Sequence, residues 1–485
     1  MDFNTSLKFE LVIPDVIWAQ LFSHLFPGDG DEHGAVVLAG VSRGNGRTRL
    51  LARDLFLARD GVDYVEGQRG YRMLTPHFIT DKALIARDAG LAYLAIHNHG
   101  GTDRVRFSED DMRSHERGYP ALRDITRGQI IGGLVFAVNA VAGDLWLEEG
   151  RATLTSATIL GSTFQSIFPE MPDRPPSGGQ AYDRQIRLFG DRGQAILRTQ
   201  RVGVIGLGGV GSIVCELLAR LGIGSLVLID PDRIELSNVP RTLGSNYGDA
   251  LRFLTSDRLP RWIRSFAQHR GRRKVKIAAR SARRASPGIE VLSLATSVVD
   301  PAAAYELTKC DYLFLAADSM QARLVFNAIT QQFFIPGVEL GTKIPVDNVS
   351  GVVGDVFTVV RPVLPRKGCL WCNGLISAAG LQNEAISEEE RKRQRYIDDP
   401  DVHAPSVISL NAIAAAHGVN EYLFRVTGLR TETARNDNLY FQARTGEVRF
   451  DLPRNDPGCL ECGVSSNSRY GRGNAVSLPV REPRQ

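Results

Sequence analysis

Four groups of residues in this sequence combine types and spacings that can do chemistry. The first is His97-Asn-His99 with Asp111 in the following Ser108-Glu-Asp-Asp111. Residues two apart in a strand point to one face, so two imidazoles and one carboxylate can hold a zinc ion whose fourth position stays open for an activated water. The second is a pair of knuckles, Cys369-Leu-Trp-Cys372 and Cys459-Leu-Glu-Cys462, each beside Gly or Pro. Four thiolates close a tetrahedral zinc site with no open position, which makes that metal structural. In a reducing compartment such pairs suggest metal before disulfide, and redox Cys-x-x-Cys motifs normally occur singly. The third is the loop Gly206-Leu-Gly208-Gly209-Val-Gly211, which follows an apolar run and opens a helical one, so its backbone N–H groups can meet phosphate oxygens. The fourth lies past the next apolar run: Asp230-Pro-Asp232, Glu235, Ser237-Asn238 and Arg241. Acids can bind ribose or Mg²⁺, and amide and guanidinium groups can bind phosphate. The glycine loop alone fits an NAD-dependent oxidoreductase equally well. The concentration of acid, amide and guanidinium beyond the next strand end shifts the balance away from that reading, because a dehydrogenase needs no such cluster.

The elements that must position these groups are those of an α/β protein. A chain of 485 residues exceeds one ordinary core, so at least two domains are expected. Hydrophobic content of 43% and charged content of 23% are globular, and no apolar run approaches the ~18 residues of a membrane helix. The start Met1-Asp2-Phe3-Asn4-Thr5 carries neither the basic nor the apolar part of a secretory signal, so a cytoplasmic location is expected. A net charge of +4, with Arg spread among acids, implies no nucleic-acid partner. The segment from Phe168 to Gly179, dense in Pro and Gly, marks a linker. The boundaries follow: residues 1–165, a linker 166–180, a second domain 181–463, and a Ser-, Gly- and Arg-rich tail 464–485 expected to fray. Before the linker, Gly34–Gly40, Leu91–His97 and Ile130–Val138 read as buried strands; after it, Arg201–Ile205 and Ser225–Ile229 bracket a helix in a parallel βαβ unit. Residues 245–273, with Trp262 and Phe266, read as an inserted helix or lid, and Ser387–Arg395 as a solvated charged helix.

The run Tyr182-Asp-Arg-Gln-Ile-Arg-Leu-Phe-Gly190, the glycine loop and the Asp-Pro-Asp…Glu-x-Ser-Asn-x-x-Arg pattern together resemble the superfamily of ubiquitin-activating enzymes and ThiF–MoeB-type adenylyltransferases. The resemblance covers about residues 181–463 and implies a Rossmann-like adenylation domain. It implies that ATP and Mg²⁺ are used to adenylate the C-terminal glycine of a ubiquitin-like or sulfur-carrier protein, for transfer to an acceptor or conjugating enzyme. It also implies a homodimer in which Arg184 reaches the partner's ATP site. Asp230, with Asp232 beside it, matches the ribose-binding acid; Asn238 and Arg241 match the triphosphate contacts. Lys274 matches the phosphate lysine, with Lys276 as a substitute, and Asp318 matches the acid near Mg²⁺, in a motif that Arg323 and Asn327 continue. The cysteine surroundings resemble the zinc knuckles of the same family. Thioester-forming members carry a cysteine on the segment that corresponds to about Ile376–Pro405; here there is none, and Cys215 and Cys310 sit in apolar runs. The enzyme is therefore expected to stop at the acyl-adenylate, with Ser406 as the nearest hydroxyl for an oxyester.

The histidine group resembles the JAB/MPN metallopeptidase motif, His-x-His…Ser-x-x-Asp with an upstream Glu as general acid/base, and Glu32 is the best such acid. Gly100 stands where that family usually has Pro, and the gap before Ser108 is one residue longer. The resemblance implies a JAB/MPN-like α/β domain with a second, catalytic zinc. The rivals are a degenerate, metal-free docking domain and, for the whole chain, a non-catalytic scaffold.

Overall fold

Runs of Val, Ile and Leu bounded by turn residues become the strands of two separate sheets. The computed structural model describes residues 8–65, 72–251, 260, 270–347, 350–386, 405–431 and 436–481. Trp262, Phe266 and the charged stretch Ser387–Arg395 lie outside the described residues. The chain divides into two compact units, one of residues 1–174, 331–334 and 456–477, the other of residues 175–330, 335–455 and 478–485.

The first unit contains β1 (Lys8–Pro14), α1 (Asp15–Leu25), β2 (Gly34–Gly44), β3 (Arg47–Leu57), α2 (Pro76–Ala89), β4 (Ala92–Asn98), α3 (Glu109–Ile125), β5 (Ile131–Ala137), β6 (Ala140–Leu147), β7 (Gly150–Leu160) and β8 (Phe164–Ile167). Asn45 and Gly46, at φ 53° and 69°, supply the two left-handed residues of the tight hairpin between β2 and β3. Strand order is β1-β3-β2-β4-β5-β6-β7-β8, and a further β1–β7 pairing closes the sheet on itself. Alternation divides the core. Ala35, Val37 and Ala39 of β2 pack with Ile17, Leu21 and Leu25 of α1, whereas Val36 and Leu38 pack with Phe78 of α2 and Tyr119 of α3. Burying each of the Val, Ile, Leu and Phe side chains stabilises the unit by ~1.5–3 kcal/mol.

The expectation of a frayed tail from Val464 is corrected. Tyr470 and Ser468 are buried, and the buried Arg53 donates from Nε to the Tyr470 carbonyl at 2.8 Å and from Nη2 to the Ser465 carbonyl at 2.7 Å. Composition suggested a loose segment because it cannot reveal a buried guanidinium that takes up the segment's carbonyls.

The second unit contains α4 (Asp183–Thr199), β9 (Arg201–Ile205), α5 (Gly209–Leu221), β10 (Ser225–Ile229), α6 (Lys274–Ala285), β11 (Glu290–Leu294), α7 (Pro301–Leu307), β12 (Tyr312–Leu315), α8 (Met320–Gln332), β13 (Gly337–Lys343), β14 (Phe357–Val363), α9 (Ala378–Ala385), α10 (Ile408–Val426), β15 (Asn438–Gln442) and β16 (Glu447–Asp451). Strand order is β11-β10-β9-β12-β13-β14-β15-β16, with the first five parallel and the last three antiparallel. The order reverses at β9, which has β10 on one side and β12 on the other. Open α/β sheets bind ligands beyond the strand ends at such a switch point. Among the described residues no helix is long and apolar enough to cross a membrane.

Candidate active sites

The glycine loop lies at that switch point, and each tight glycine has a physical reason. Gly206 is left-handed at φ 87°, and a Cβ there would lie 2.8 Å from the Ala317 nitrogen past β12. A Cβ on Gly211 would lie 1.8 Å from the Gly206 carbonyl oxygen, and one on Gly209 would lie 2.1 Å from Asn411 Nδ2 of α10. Gly208 caps α5, so the loop delivers its amides at a helix N-terminus, where anions are favoured. At the end of β10 the buried Asp230 accepts from Leu207 N–H at 2.6 Å and Asp232 N–H at 2.8 Å. It thus shapes the loop besides offering negative charge to a ligand. Burial raises its carboxyl above the usual range, against the opposing pull of Lys274.

Lys274 opens α6 and reaches Asp232 with Nζ at 2.8 Å, while Lys276 is exposed further along the helix. Asn238 ends a short 3₁₀ turn, accepts the Arg241 N–H at 3.1 Å, and leaves both side chains half-buried. Arg241 is close to the loop, since its carbonyl oxygen would lie 3.5 Å from a Cβ on Gly209. Asp318 follows β12 and is exposed; its carbonyl accepts from Arg323 Nη1 at 3.0 Å. Arg184 is exposed on α4 and shares a surface groove with Ser177, Gly179, Gln180, Asp183 and Ile186.

Three residues of this region escaped sequence reasoning. Glu339 on β13, 2% exposed, pairs with Arg323 at 3.3 Å and with Arg361. A lone acid inside the apolar run Ile335–Leu340 was the available signal, because a buried charge must be paired. Glu384 of α9 accepts the Met320 and Gln321 N–H groups at 2.7 and 2.9 Å, capping α8 just beyond Asp318. Asn411 had no signal at all, since only the tertiary structure brings it to Gly209. Asn327 is fully buried, and its Oδ1 accepts the Leu370 N–H at 2.8 Å, so it supports the first cysteine knuckle.

In that knuckle the Cys369 and Cys372 sulfurs lie 3.6 Å apart. Tetrahedral zinc with Zn–S bonds of ~2.3 Å needs sulfurs roughly 3.8 Å apart. Asn373 donates to the Arg454 carbonyl at 3.2 Å and accepts the Arg454 N–H at 2.9 Å. Asn455 reaches the Arg366 carbonyl at 3.1 Å, so the chain that leads to the second knuckle is tied to the first. Cys459 and Cys462 of the second knuckle are both buried. Cys215 is buried and its thiol is pushed up to about 12 by burial, which makes it inert as a nucleophile.

In the first unit β4 carries His97 and leads into His99, and α3 carries Asp111. A capping box orients that carboxylate: the Asp111 N–H donates to Ser108 Oγ at 3.1 Å, while the Ser108 N–H and hydroxyl each donate to Asp111 Oδ2 at 2.7 Å. His97 Nε2 and His99 Nε2 lie 3.2 Å apart, and each is 3.4 Å from an Asp111 oxygen. A tetrahedral zinc with ligand bonds of ~2.0–2.1 Å requires spacings of roughly 3.3 Å, so this donor set fits. His99 Nδ1 lies 3.0 Å from the Arg106 carbonyl, which directs Nε2 inward. Glu32 Oε1 is 3.6 Å from His99 Nε2. Burial pushes the Glu32 carboxyl up against the pull of both imidazoles. At Asp111 burial also raises the carboxyl, but hydrogen bonds from His97 and His99 prevail and hold it well below the usual range.

The parallel strands about β9, with the glycine loop at their switch point, define a doubly wound α/β protein. The ThiF family model matches residues 182–461, more than half of the chain, and the chain belongs to the ThiF family. It is similar to ubiquitin-like modifier-activating enzyme 5 of Caenorhabditis briggsae, 33% identical over 23% of this chain and 28% of that one. It is likewise similar to ubiquitin-like modifier-activating enzyme 7 of Homo sapiens, 32% identical over 34% of this chain and 15% of that one. The chain spans less than half the length of these relatives. Among solved structures it is similar to E. coli MccB with ATP, at 18% identity and TM-score 0.44 over 59% of this chain and 75% of that one.

Proposed function

We propose that this chain uses ATP and Mg²⁺ to adenylate the C-terminal glycine of a ubiquitin-like or sulfur-carrier protein. Membership of the ThiF family supports the reaction class, and one observation carries the site: the glycine-loop amides, Asp230 and the Lys274–Asp232 pair converge beyond β9 and β10. The loop amides and Lys274 hold phosphate oxygens, and Asp230 holds ribose while fixing the loop. Asn238 and Arg241 steady the triphosphate. Mg²⁺ beside Asp318 neutralises phosphate charge when bound. The glycine carboxylate attacks the α-phosphate, the new P–O bond forms as the bond to pyrophosphate breaks, and the chain retains an acyl-adenylate for a nucleophilic acceptor or conjugating enzyme. Arg184 acts across a homodimer, the four thiolates hold a structural zinc, and the protein works in the cytoplasm.

Pyrophosphate exchange into ATP, with the carrier supplied, tests this. Asp318→Ala is expected to abolish exchange without unfolding the protein, and surviving exchange would remove Asp318 from the mechanism.

A second activity, zinc-dependent amide hydrolysis in a JAB/MPN-like N-terminal unit, is favoured by the ligand spacings of His97, His99 and Asp111. Zinc held there supplies an acidified water. Glu32 would act there as general acid/base, holding the proton that the water gives up and passing it to the departing amide nitrogen, with a carboxylate and an amine as products. Processing of a carrier precursor, or its removal from targets, is the fitting substrate class.

A further inference from the structure

Asn98 stands between the two histidines at the end of β4, and strand alternation turns its side chain away from theirs. It is buried at 8% exposure. Its Oδ1 accepts the His33 N–H at 2.6 Å, and its Nδ2 donates to the Asp31 carbonyl at 3.4 Å. These two residues flank Glu32. One amide thus holds the backbone on both sides of the acid that approaches His99.

The other anchors of this loop act on one residue each or farther out. The His33 ring lies 3.0 Å from Asp29, Arg72 pairs with Asp31 at 3.2 Å, and the Gly34 N–H donates to Tyr64 Oη at 2.8 Å. Gly34 also pairs with His97 across β2 and β4, which ties the end of the loop to the strand carrying the ligands. Asn98, rooted in that same strand one residue from each histidine, ties both neighbours of Glu32 to the frame of His97 and His99. An amide suits the task because it is donor and acceptor at once.

We propose that Asn98 is a positioning residue that sets the reach of the Glu32 carboxylate toward the His97, His99 and Asp111 centre; the proposal rests on the zinc-hydrolase reading. Asn98→Ala removes both bonds and leaves the His33 N–H unpaired. Asn98→Asp keeps the acceptor for His33 but sets an oxygen against the Asp31 carbonyl. Neither change touches a ligand.

The test uses the full chain, zinc content, hydrolysis of a Gly-Gly-aminomethylcoumarin peptide, and amide hydrogen exchange at residues 29–35. Displacing a reacting group by about 1 Å lowers turnover on the order of a hundredfold. Asn98→Ala is expected to lower kcat by about that factor with KM and zinc content unchanged, and Asn98→Asp to fall between it and wild type. The His33 amide should exchange faster in Asn98→Ala, with and without zinc. The double variant Glu32→Gln/Asn98→Ala should be no slower than Glu32→Gln alone. Wild-type turnover in both Asn98 variants, or zinc loss that accounts for the fall, overturns the role of Asn98 and leaves the hydrolase reading standing. A zinc-loaded wild type that hydrolyses nothing overturns the hydrolase reading, and this proposal with it.

Discussion

Replacing Gly209 by Ala tests the glycine loop through a single contact. A Cβ at Gly209 would lie 2.1 Å from Asn411 Nδ2, closer than any stable packing permits. Asn411 is 2% exposed, and its Nδ2 donates to Ser406 Oγ at 3.1 Å, so it cannot yield without losing that bond. Overpacking of this kind costs about 1–3 kcal/mol. The gain of Ala over Gly in a helix is at most about 1 kcal/mol, and partly offsets it. The net displacement falls on the amides of the helix N-terminus, and each 1.4 kcal/mol is about tenfold in affinity. Titration calorimetry with ATP and Mg²⁺ is expected to give a Kd raised on the order of tenfold in Gly209→Ala. Gly211→Ala should abolish binding, because the obstruction at 1.8 Å is the Gly206 carbonyl, a backbone atom with no rotamer to change. The double variant Gly209→Ala/Asn411→Ala removes the obstructing amide and should recover most of the affinity. Wild-type affinity in Gly209→Ala, or no recovery in the double variant, would refute the packing argument.

Zinc content near two per chain is expected, falling by about one in Cys372→Ser with a lower Tm, and by about one in His97→Ala/His99→Ala with pyrophosphate exchange intact. A wild-type value near one that ignores the histidine substitutions would make the N-terminal unit a metal-free platform. Mixed dimers of Arg184→Ala and Asp318→Ala subunits should recover part of the exchange activity; no recovery in verified mixed dimers would place Arg184 outside a partner's site. Acid should destabilise the first unit through Asp144. Burial raises that carboxyl, but hydrogen bonds from His115, Arg151 and Trp146 outweigh it and hold it at about 2. A depressed carboxyl contributes stability above its ordinary value of 3.8, and that contribution is lost as pH falls through about 2. Trp146 donates to Asp144 at 3.0 Å, so its fluorescence should change across that window and not in Asp144→Asn. An identical acid profile in the variant would remove Asp144 from the transition.

The sequence by itself determined the main elements and the family. Local periodicity set the strands around Val204 and Leu228, since which faces are apolar depends only on neighbours along the chain. The glycine loop and the ThiF family were legible because a glycine-rich turn from strand into helix is a contiguous motif. The two histidines and Asp111 were legible as residue types. That their ligand atoms stand 3.2–3.4 Å apart was decided by the pairing of β4 with β2 and by the cap on α3.

Other features belong to the tertiary structure alone. Glu339 is 2% exposed between Arg323 and Arg361, an arrangement that needs adjacent strands as well as a helix. Residues 464–485 read as a loose tail, yet Tyr470 within them is fully buried, because Arg53, far away in sequence, takes up carbonyls that composition left unaccounted for. Gly209 explains the divide. That a helix starts there is a local fact, but that no side chain fits there depends on Asn411, brought in by α10 across some two hundred residues of chain. Backbone preference acts between neighbours, whereas exclusion of volume and pairing of buried charge act between whatever the fold makes adjacent.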